Sequence, residues 1–290
     1  MVVRYKPTTI CFWPIIVKMT SSTNHSAVKA SSRTKMELKG IDKYFSVDRK
    51  AITVLRGIDL SVREGEFISL IGPSGCGKST LLNIIAGLDE PTKGDISNDG
   101  QRSDRRLGAI GYMHQKDLLL PWRTVLDNAV LGLELRGKPR SQIRRQALEL
   151  MESFGLKGFE KNYPSLLSGG MRQRVAFLRT VLADHDVILL DEPFGALDAL
   201  TRANMQEWLI ELWESWGKTV IMVTHDVEEA VLLSDRVYVF TSRPGSVKLV
   251  LPVDLPRPRR YEMVTEDAFV KMKAAVIAAL RGNDVMGGIA

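Results

Sequence analysis

The sequence predicts an α/β fold built around a parallel β-sheet, and two observations support this prediction. Four short apolar runs are typical of strands buried within a sheet; they are Phe67–Ile71, Val187–Leu190, Val220–Val223 and Val237–Phe240. A glycine-rich loop and a helical segment follow the first run, at Gly72–Gly77 and Lys78–Gly87. A strand, a loop and a helix in this order are typical of open sheets that bind ligands at the carboxyl ends of their strands.

Composition sets the broad class of protein. The chain has 290 residues, of which 44% are hydrophobic and 26% charged, and this suits one or two globular domains with a sizeable core. The two cysteines, Cys11 and Cys76, lie in unrelated contexts. The sequence therefore predicts no disulfide framework and favours a reducing compartment.

The net charge of +6 is concentrated at the N-terminus. Residues 1–35 contain six of the 40 basic residues and no acidic residue, so the other 34 are balanced by 34 acidic residues. The rest of the chain is therefore formally neutral, which argues against a nucleic-acid-binding core. The basic, Ser/Thr-rich segment itself is compatible with a transit peptide, a disordered tail, or an upstream start codon before Met19 or Met36.

No segment has the roughly 18–20 apolar residues that a membrane-spanning helix needs. The best candidate, Ile10–Val17, is short and is interrupted by Pro14. If the protein works at a membrane, another chain must supply the spans.

The other elements follow in chain order. Thr53–Val62 reads as a strand. Residues 115–182 are mostly helical in pattern, with the clearest helices at Ser141–Phe154 and Gly170–Leu182, and they predict a helical insert.

The C-terminal region is predicted to begin with a connector. Residues 241–261 are rich in proline and arginine, which indicates an extended segment. The pattern of Thr265–Arg281 predicts a final amphipathic helix.

The glycine-rich loop matches the phosphate-binding pattern G-x-x-x-x-G-K-[ST] between a strand and a helix. Its residues are Gly72, Pro73, Ser74, Gly75, Cys76, Gly77, Lys78, Ser79 and Thr80. Backbone N–H groups of such a loop and of the helix N-terminus point at bound phosphates. Lys78 would reach the β- and γ-phosphates of ATP, and the Ser79 hydroxyl would ligate Mg²⁺. A chance match is on the order of one in a hundred, so a glycine-rich turn with an exposed lysine is the weaker alternative.

Two acidic residues end the apolar run that starts at Val187. Asp191 is placed to complete the Mg²⁺ shell, and Glu192 is placed to orient or deprotonate the attacking water. Alone, such a pair often marks a solvated turn, but downstream of a phosphate loop the functional interpretation is favoured.

A third motif points to a family. Leu167–Arg174 resembles the signature sequence of ATP-binding cassette (ABC) proteins. Ser168, Gly169 and Gly170 at a helix N-terminus would form a second anion site. In the ABC family, two cassettes pack head-to-tail, so the resemblance implies that these residues contact the ATP of a partner chain.

Other ABC elements occur in the family's order. Gln115 resembles the glutamine that touches Mg²⁺ and the attacking water, and Phe194–Asp198 resembles the D-loop. His225 resembles the histidine that contacts the γ-phosphate. Phe45 matches the adenine-stacking aromatic, with Tyr44 beside it, although a core aromatic is an open alternative.

The resemblance implies a P-loop NTPase fold of the ABC cassette type, with an antiparallel β portion and a helical subdomain at about 115–182. It covers residues 36–255, which leaves 1–35 as a basic tail and 256–290 as a C-terminal extension with a helix.

A narrower resemblance involves Leu118–Asn128 and Pro252–Arg259, which are similar to the nitrate/sulfonate/taurine importer branch. It implies uptake of a small anion, a second cassette that is most simply an identical chain, a permease, and indirectly a periplasmic or extracellular binding protein. It also implies a peripheral position at the cytoplasmic face of the membrane. Tyr112–His114 departs from the family, in which a Phe usually precedes the glutamine.

Two other classes within the family are alternatives. A soluble non-transport ABC ATPase usually carries two cassettes, a long coiled coil or a zinc hook, and this sequence shows one cassette and neither of the others. An exporter cassette is disfavoured by the Leu-Pro-Trp stretch and by the lack of fused spans.

Overall fold

The computed structural model describes residues 33–47, 50–103 and 106–282. The predictions for residues 1–32 and 283–290 lie outside these ranges. The strands are β1 (Thr34–Val47), β2 (Lys50–Arg63), β3 (Phe67–Ile71), β4 (Lys93–Asn98), β5 (Gln101–Arg102), β6 (Gly111–Met113), β7 (Val187–Asp191), β8 (Thr219–Thr224), β9 (Arg236–Phe240) and β10 (Val247–Pro252). The α-helices are α1 (Lys78–Ala86), α2 (Val125–Ala129), α3 (Leu131–Leu135), α4 (Arg140–Ser153), α5 (Gly169–Leu182), α6 (Ala199–Trp216), α7 (Val227–Leu233) and α8 (Asp267–Arg281).

The central sheet has the strand order β10-β9-β3-β8-β7-β6 among the described residues. The pairs β9–β3, β3–β8, β8–β7 and β7–β6 are parallel, which confirms the prediction from the apolar runs. β3 lies between β8 and β9, so the loop that follows it leaves the sheet from its interior.

β10 contradicts the prediction of an extended connector over residues 241–261, because it pairs antiparallel with β9. The prolines do not prevent the pairing, since Pro244 precedes the strand and Pro252 is its last residue. Proline is tolerated at the margins of edge strands.

A second, antiparallel sheet has the order β2-β1-β4-β5. β1 begins at Thr34, inside the predicted tail and two residues before the predicted boundary at Met36. Lys35 explains the difference, because it is buried and its Nζ lies 2.8 Å from an Asp99 carboxylate oxygen beyond β4.

The core lies on both faces of the central sheet, because alternate residues of each strand point to opposite sides. Leu189 and Ile221 join β1, β2 and α1 in one apolar layer. Ile188 and Met222 join helices α2–α8 in the other. The antiparallel sheet and α1 therefore cover one face, and the remaining helices cover the other.

The predicted helices are present with shifts of one or two residues at their ends. α4 and α5 begin one residue before their predicted starts, and α8 begins two residues after. Gly87 ends α1 in the left-handed conformation with φ of 76°, as a C-capping glycine does. Among the described residues, no helix is long and apolar enough to cross a membrane.

Arg259 attaches the C-terminal extension to the domain. Its guanidinium is buried and donates to the carbonyl oxygens of Val231, Leu232 and Ser234, and to that of Val253. Burial, with a smaller effect of Arg257, lowers the pKa of Arg259 to about 10. The side chain thus supplies donors to the C-terminal carbonyls of α7, which have no partner within the helix.

We expect Arg259→Met to destabilise the protein, because it leaves several buried carbonyl groups without donors. The expected loss is about 2–4 kcal/mol in the free energy of unfolding, measured by urea denaturation. Arg260→Met is the matched control, since Arg260 is exposed, and it should change the value by less than about 0.5 kcal/mol. Equal stability of the two variants would show that the buried arginine does not hold the extension.

Candidate active site

The phosphate loop connects β3 to α1 and makes close contacts that only glycine permits. A Cβ atom at Gly72 would lie 2.8 Å from the Phe240 Cβ, and one at Gly77 would lie 2.7 Å from the Leu55 Cδ2. Gly77 also has φ of 107°, which side chains rarely adopt. No side chain caps the N-terminus of α1, so its first N–H groups are available to an anion.

Lys78 is buried and folds back over the loop. Its Nζ donates to the carbonyl oxygens of Gly72 at 2.7 Å and Pro73 at 3.0 Å. The Cys76 side chain is also buried, so Cys76 can contribute to a phosphate site through its backbone only.

An open cavity of about 310 Å³ lies beside the loop. It joins three parts of the sequence that were predicted to act together, and two residues that were not predicted as site residues, Val223 and Arg243. Its lining residues are Ser74, Gly75, Gly77, Lys78, Ser79, Thr80, Gln115, Glu192, Val223 and Arg243.

Asp191 ends β7 and is almost fully buried. Burial raises the pKa of Asp191, and the negative charge of Glu192 raises it further. A hydrogen bond from Ser79 and the positive charge of Lys78 oppose this rise. The buried Oδ1 atom has no hydrogen-bond partner among the described residues. A buried acceptor without a donor is unusual and suits a carboxylate that binds a cation.

Glu192 is the point at which the predicted catalytic residues meet. Its Oε2 accepts a hydrogen bond from the Gln115 Nε2 at 2.9 Å, and its Oε1 lies 3.4 Å from the His225 Nδ1. Its φ of 49° is left-handed, which costs a residue other than glycine about 1–2 kcal/mol. A hydrogen bond from its N–H to the Val223 carbonyl, at 2.9 Å, helps to hold this conformation.

Glu229 supports the segment that carries His225, and sequence reasoning missed it. Its carboxylate is buried and accepts hydrogen bonds from the Thr224 hydroxyl at 2.5 Å and the Gln206 amide at 3.1 Å. Burial raises the pKa of Glu229. Because Thr224 immediately precedes His225, the carboxylate fixes the backbone from which the histidine projects. In the sequence, Glu229 looks like an ordinary acidic residue in a first helical turn.

Asp226, on the other side of His225, caps α7. Its carboxylate accepts hydrogen bonds from the N–H groups of Glu228 at 2.8 Å and Glu229 at 3.3 Å. Both neighbours of the histidine are therefore held, while its own side chain is 62% exposed.

Ser168, Gly169 and Gly170 do not line the cavity of their own chain. Ser168 caps α5 by accepting a hydrogen bond from the Met171 N–H at 3.2 Å, and it is exposed. The structure thus presents this predicted anion site at the surface, away from the phosphate loop.

Residues near both ends of α5 contact the segment that follows Gln115. Arg172 Nε lies 3.0 Å from an Asp117 carboxylate oxygen. Arg179 donates to the backbone carbonyls of Asp117 at 2.7 Å and Leu118 at 2.9 Å. These contacts join α5 to the segment that begins at Gln115.

Phe45 and Tyr44 are 40% and 45% exposed. The alternative that Phe45 is a core aromatic is therefore wrong. Phe45 does not line the cavity, and its stacking on adenine remains a prediction.

Fold and site together define a phosphate-loop nucleotide hydrolase, with a loop for the phosphates and a carboxylate at the carboxyl end of an adjacent strand. Comparison with known proteins then gives the family. A family model described as "ABC transporter" matches residues 55–195. An uncharacterized ABC transporter ATP-binding protein of Methanocaldococcus jannaschii, MJ0412, is 48% identical over 80% of this chain and 88% of its own. The chain belongs to the ATP-binding subunits of ABC transporters and is an ATPase.

Two further relatives carry more specific names. The chain is 43% identical to the aliphatic sulfonates import ATP-binding protein SsuB of Bacillus cereus, over 83% of this chain and 94% of that protein. It is 40% identical to the nitrate import ATP-binding protein NrtD of Synechocystis, over 86% and 96%.

The fold also matches a solved structure. The dimeric structure of MJ0796, described as a bacterial ABC transporter cassette, has a TM-score of 0.69 and 35% identity, and it covers 76% of this chain and 100% of that one. The match confirms the predicted cassette fold, with its antiparallel β portion and helical subdomain.

We expect Glu229→Gln to slow hydrolysis without weakening nucleotide binding, because the amide can replace only one of the two hydrogen bonds that the carboxylate accepts. A roughly 3- to 10-fold fall in kcat is expected, with the Kd for ATP within about twofold of wild type. Glu228→Gln is the control, because Glu228 is its neighbour and lies outside this network. A fall in melting temperature with unchanged kcat would mean that Glu229 serves stability alone.

Proposed function

We propose that this chain hydrolyses ATP to drive the uptake of a small anion, such as a sulfonate, nitrate or taurine, through a separate permease. One observation supports ATP hydrolysis at this site. Gln115 and His225 both contact Glu192, which lines the same cavity as the phosphate loop. The names of the relatives SsuB and NrtD support the importer part. The chemical class of the cargo rests on these names and on the narrower sequence resemblance.

In the proposed reaction, water attacks the γ-phosphate. Glu192 orients the water and accepts its proton, while Gln115 and His225 hold the carboxylate in place. The Lys78 ammonium and the N–H groups of the loop stabilise the charge that spreads over the phosphate oxygens.

Asp191, Ser79 and Gln115 are the residues that would hold Mg²⁺. The unpartnered Oδ1 of Asp191 fits this role. Among the described residues, no three His, Cys, Asp or Glu side chains cluster as a metal site. This agrees with an ion bound by few protein oxygens together with nucleotide phosphates. Bound there, Mg²⁺ would neutralise part of the phosphate charge.

A second cassette completes the proposed site. Ser168, Gly169 and Gly170 would contact the ATP of an identical partner chain. They lie at a helix N-terminus outside their own cavity, where Ser168 and Gly169 are exposed and Gly170 is half-buried. The dimeric structure of the relative MJ0796 supports this arrangement.

The permease would dock near Trp122, whose side chain is 71% exposed. This exposure argues against a role in filling the local core. The loop beneath it is rigid, because the buried Asn128 amide donates to the carbonyls of Leu120, Arg123 and Thr124 at 3.0–3.1 Å. A large aromatic on a fixed backbone suits an interface anchor. The subunit would then lie at the cytoplasmic face of the membrane, and a binding protein outside the membrane would deliver the cargo.

We expect Glu192→Gln to bind ATP normally and to hydrolyse it about 10²–10³-fold more slowly, because it removes the proposed base and keeps the phosphate loop. The variant should accumulate as an ATP-bound dimer on gel filtration. The control is Glu64→Gln, which changes an exposed carboxylate. Wild-type turnover by Glu192→Gln would mean that another residue orients the water.

We expect Trp122→Ala to weaken association with the permease by about 2 kcal/mol, or roughly 30-fold, and to abolish uptake. The permease encoded by a neighbouring gene would be used in pull-down and proteoliposome assays. Melting temperature and basal ATPase rate should stay near wild type, because the side chain is exposed. Leu107→Ala is the control, since Leu107 is 69% exposed on a different loop. A destabilised variant that still binds the permease would contradict the docking proposal.

A further inference from the structure

The turn between β9 and β10, residues 241–246, packs against the phosphate loop; we call it the hairpin turn. A Cβ atom at Gly245 would lie 2.1 Å from the Cys76 carbonyl oxygen, so the two backbones are in direct contact. Phe240, which precedes the turn, makes the close approach to Gly72 described above. The hairpin turn and the end of β9 together therefore touch the phosphate loop near both of its ends.

Hydrogen bonds to β2 fix the position of the hairpin turn. Gly245 N–H donates to the Val54 carbonyl at 2.8 Å, and Arg56 N–H donates to the Gly245 carbonyl at 2.9 Å. Thr241 and Ser246 close the turn itself, since the Thr241 N–H donates to the Ser246 carbonyl at 2.9 Å and the Ser246 N–H donates to the Thr241 hydroxyl at 3.0 Å. The position of the hairpin turn relative to β2 is thus fixed by hydrogen bonds.

Arg243 projects from the hairpin turn into the nucleotide cavity. Its Nε donates to the Gly75 carbonyl at 3.2 Å, and its side chain lines the cavity together with Lys78, Gln115 and Glu192. Within residues 33–47, 50–103 and 106–282, no carboxylate pairs with its guanidinium, and its two Nη groups have no hydrogen-bond acceptor.

The charges in the cavity indicate what this guanidinium can bind. Lys78 and Arg243 are its cations, and Glu192 is a lining carboxylate, with Asp191 buried beside it. A planar guanidinium with free N–H groups matches phosphate oxygens, which it can bind in a bidentate manner. Arg243 and Glu192 line the same cavity, and the attacked phosphate must lie next to Glu192, so the terminal phosphate enters the cavity that Arg243 lines.

We propose that Arg243 is a specificity residue that binds the terminal phosphate and so favours ATP over ADP. The inference rests on the proposed hydrolysis at this site. Loss of the terminal phosphate removes both the partner of the guanidinium and part of the negative charge that it faces. Arg243 then keeps only its bond to the Gly75 carbonyl, and the product is held less tightly than the substrate.

The test compares the binding of two nucleotides by isothermal titration calorimetry in the presence of Mg²⁺. The non-hydrolysable triphosphate AMP-PNP stands for ATP, and ADP stands for the product. Arg243→Met keeps the length of the side chain and removes its charge, while Arg243→Lys keeps the charge without the planar fork. Arg56→Met is the matched control, because Arg56 is exposed and joins the hairpin turn through its backbone only.

Arg243→Met should weaken AMP-PNP binding roughly tenfold and change ADP binding by less than about twofold. Arg243→Lys should lie between Arg243→Met and wild type, and Arg56→Met should match wild type. The preference of the wild type for AMP-PNP should also fall with added salt more steeply than that of Arg243→Met. Equal losses for both nucleotides, or no loss, would overturn the proposal. Wild-type protein that bound neither nucleotide would instead refute the proposed function.

Discussion

The contact of the phosphate loop with its neighbours on both sides is the constraint on which the site depends. Gly72 meets β9 and Gly77 meets β2 at distances that exclude a Cβ atom. These contacts are possible because β3 lies inside the sheet, between β8 and β9. The loop is thus held by the main sheet and by the antiparallel sheet together, and the shape that cradles a phosphate is set before a nucleotide arrives.

The same sheet brings the catalytic groups to the loop. β7 and β8 are adjacent and parallel, so the residues after them, Glu192 and His225, emerge side by side. The backbone at this edge is closely held, with Glu192 bonded to Val223 and Thr224 bonded to Glu229. In contrast, the side chains of Gln115 and His225 are exposed. The chain thus provides a rigid half of a site whose solvent side is left for another surface to close.

The fold, and the proximity of the phosphate loop to Gln115, Glu192 and His225, could be predicted because they depend on local patterns. These patterns are short apolar runs, a glycine-rich loop, and acids or a histidine at strand ends. The features that the sequence did not predict depend instead on contacts between distant segments. β10 was not predicted because prolines lie before it and at its end. The start of β1 at Thr34 was not predicted because Lys35 is held by an ion pair with the distant Asp99. Arg243 and Glu229 have no local signal, since their roles arise from contacts with segments far away in the sequence.

The attachment of α5 to the segment after Gln115 has a consequence for how two nucleotides could communicate. Asp117 receives Arg172 through its side chain and Arg179 through its backbone, so contacts join the helix that begins after Ser168 to the segment that begins at Gln115. In the proposed dimer, Gln115 faces the nucleotide of its own chain and Ser168 faces that of its partner. If the two segments moved together, their position would depend on both nucleotides, and Trp122 would move with them. The position of the helical subdomain, and hence its contact with the membrane subunits, would then depend on the binding of both ATP molecules.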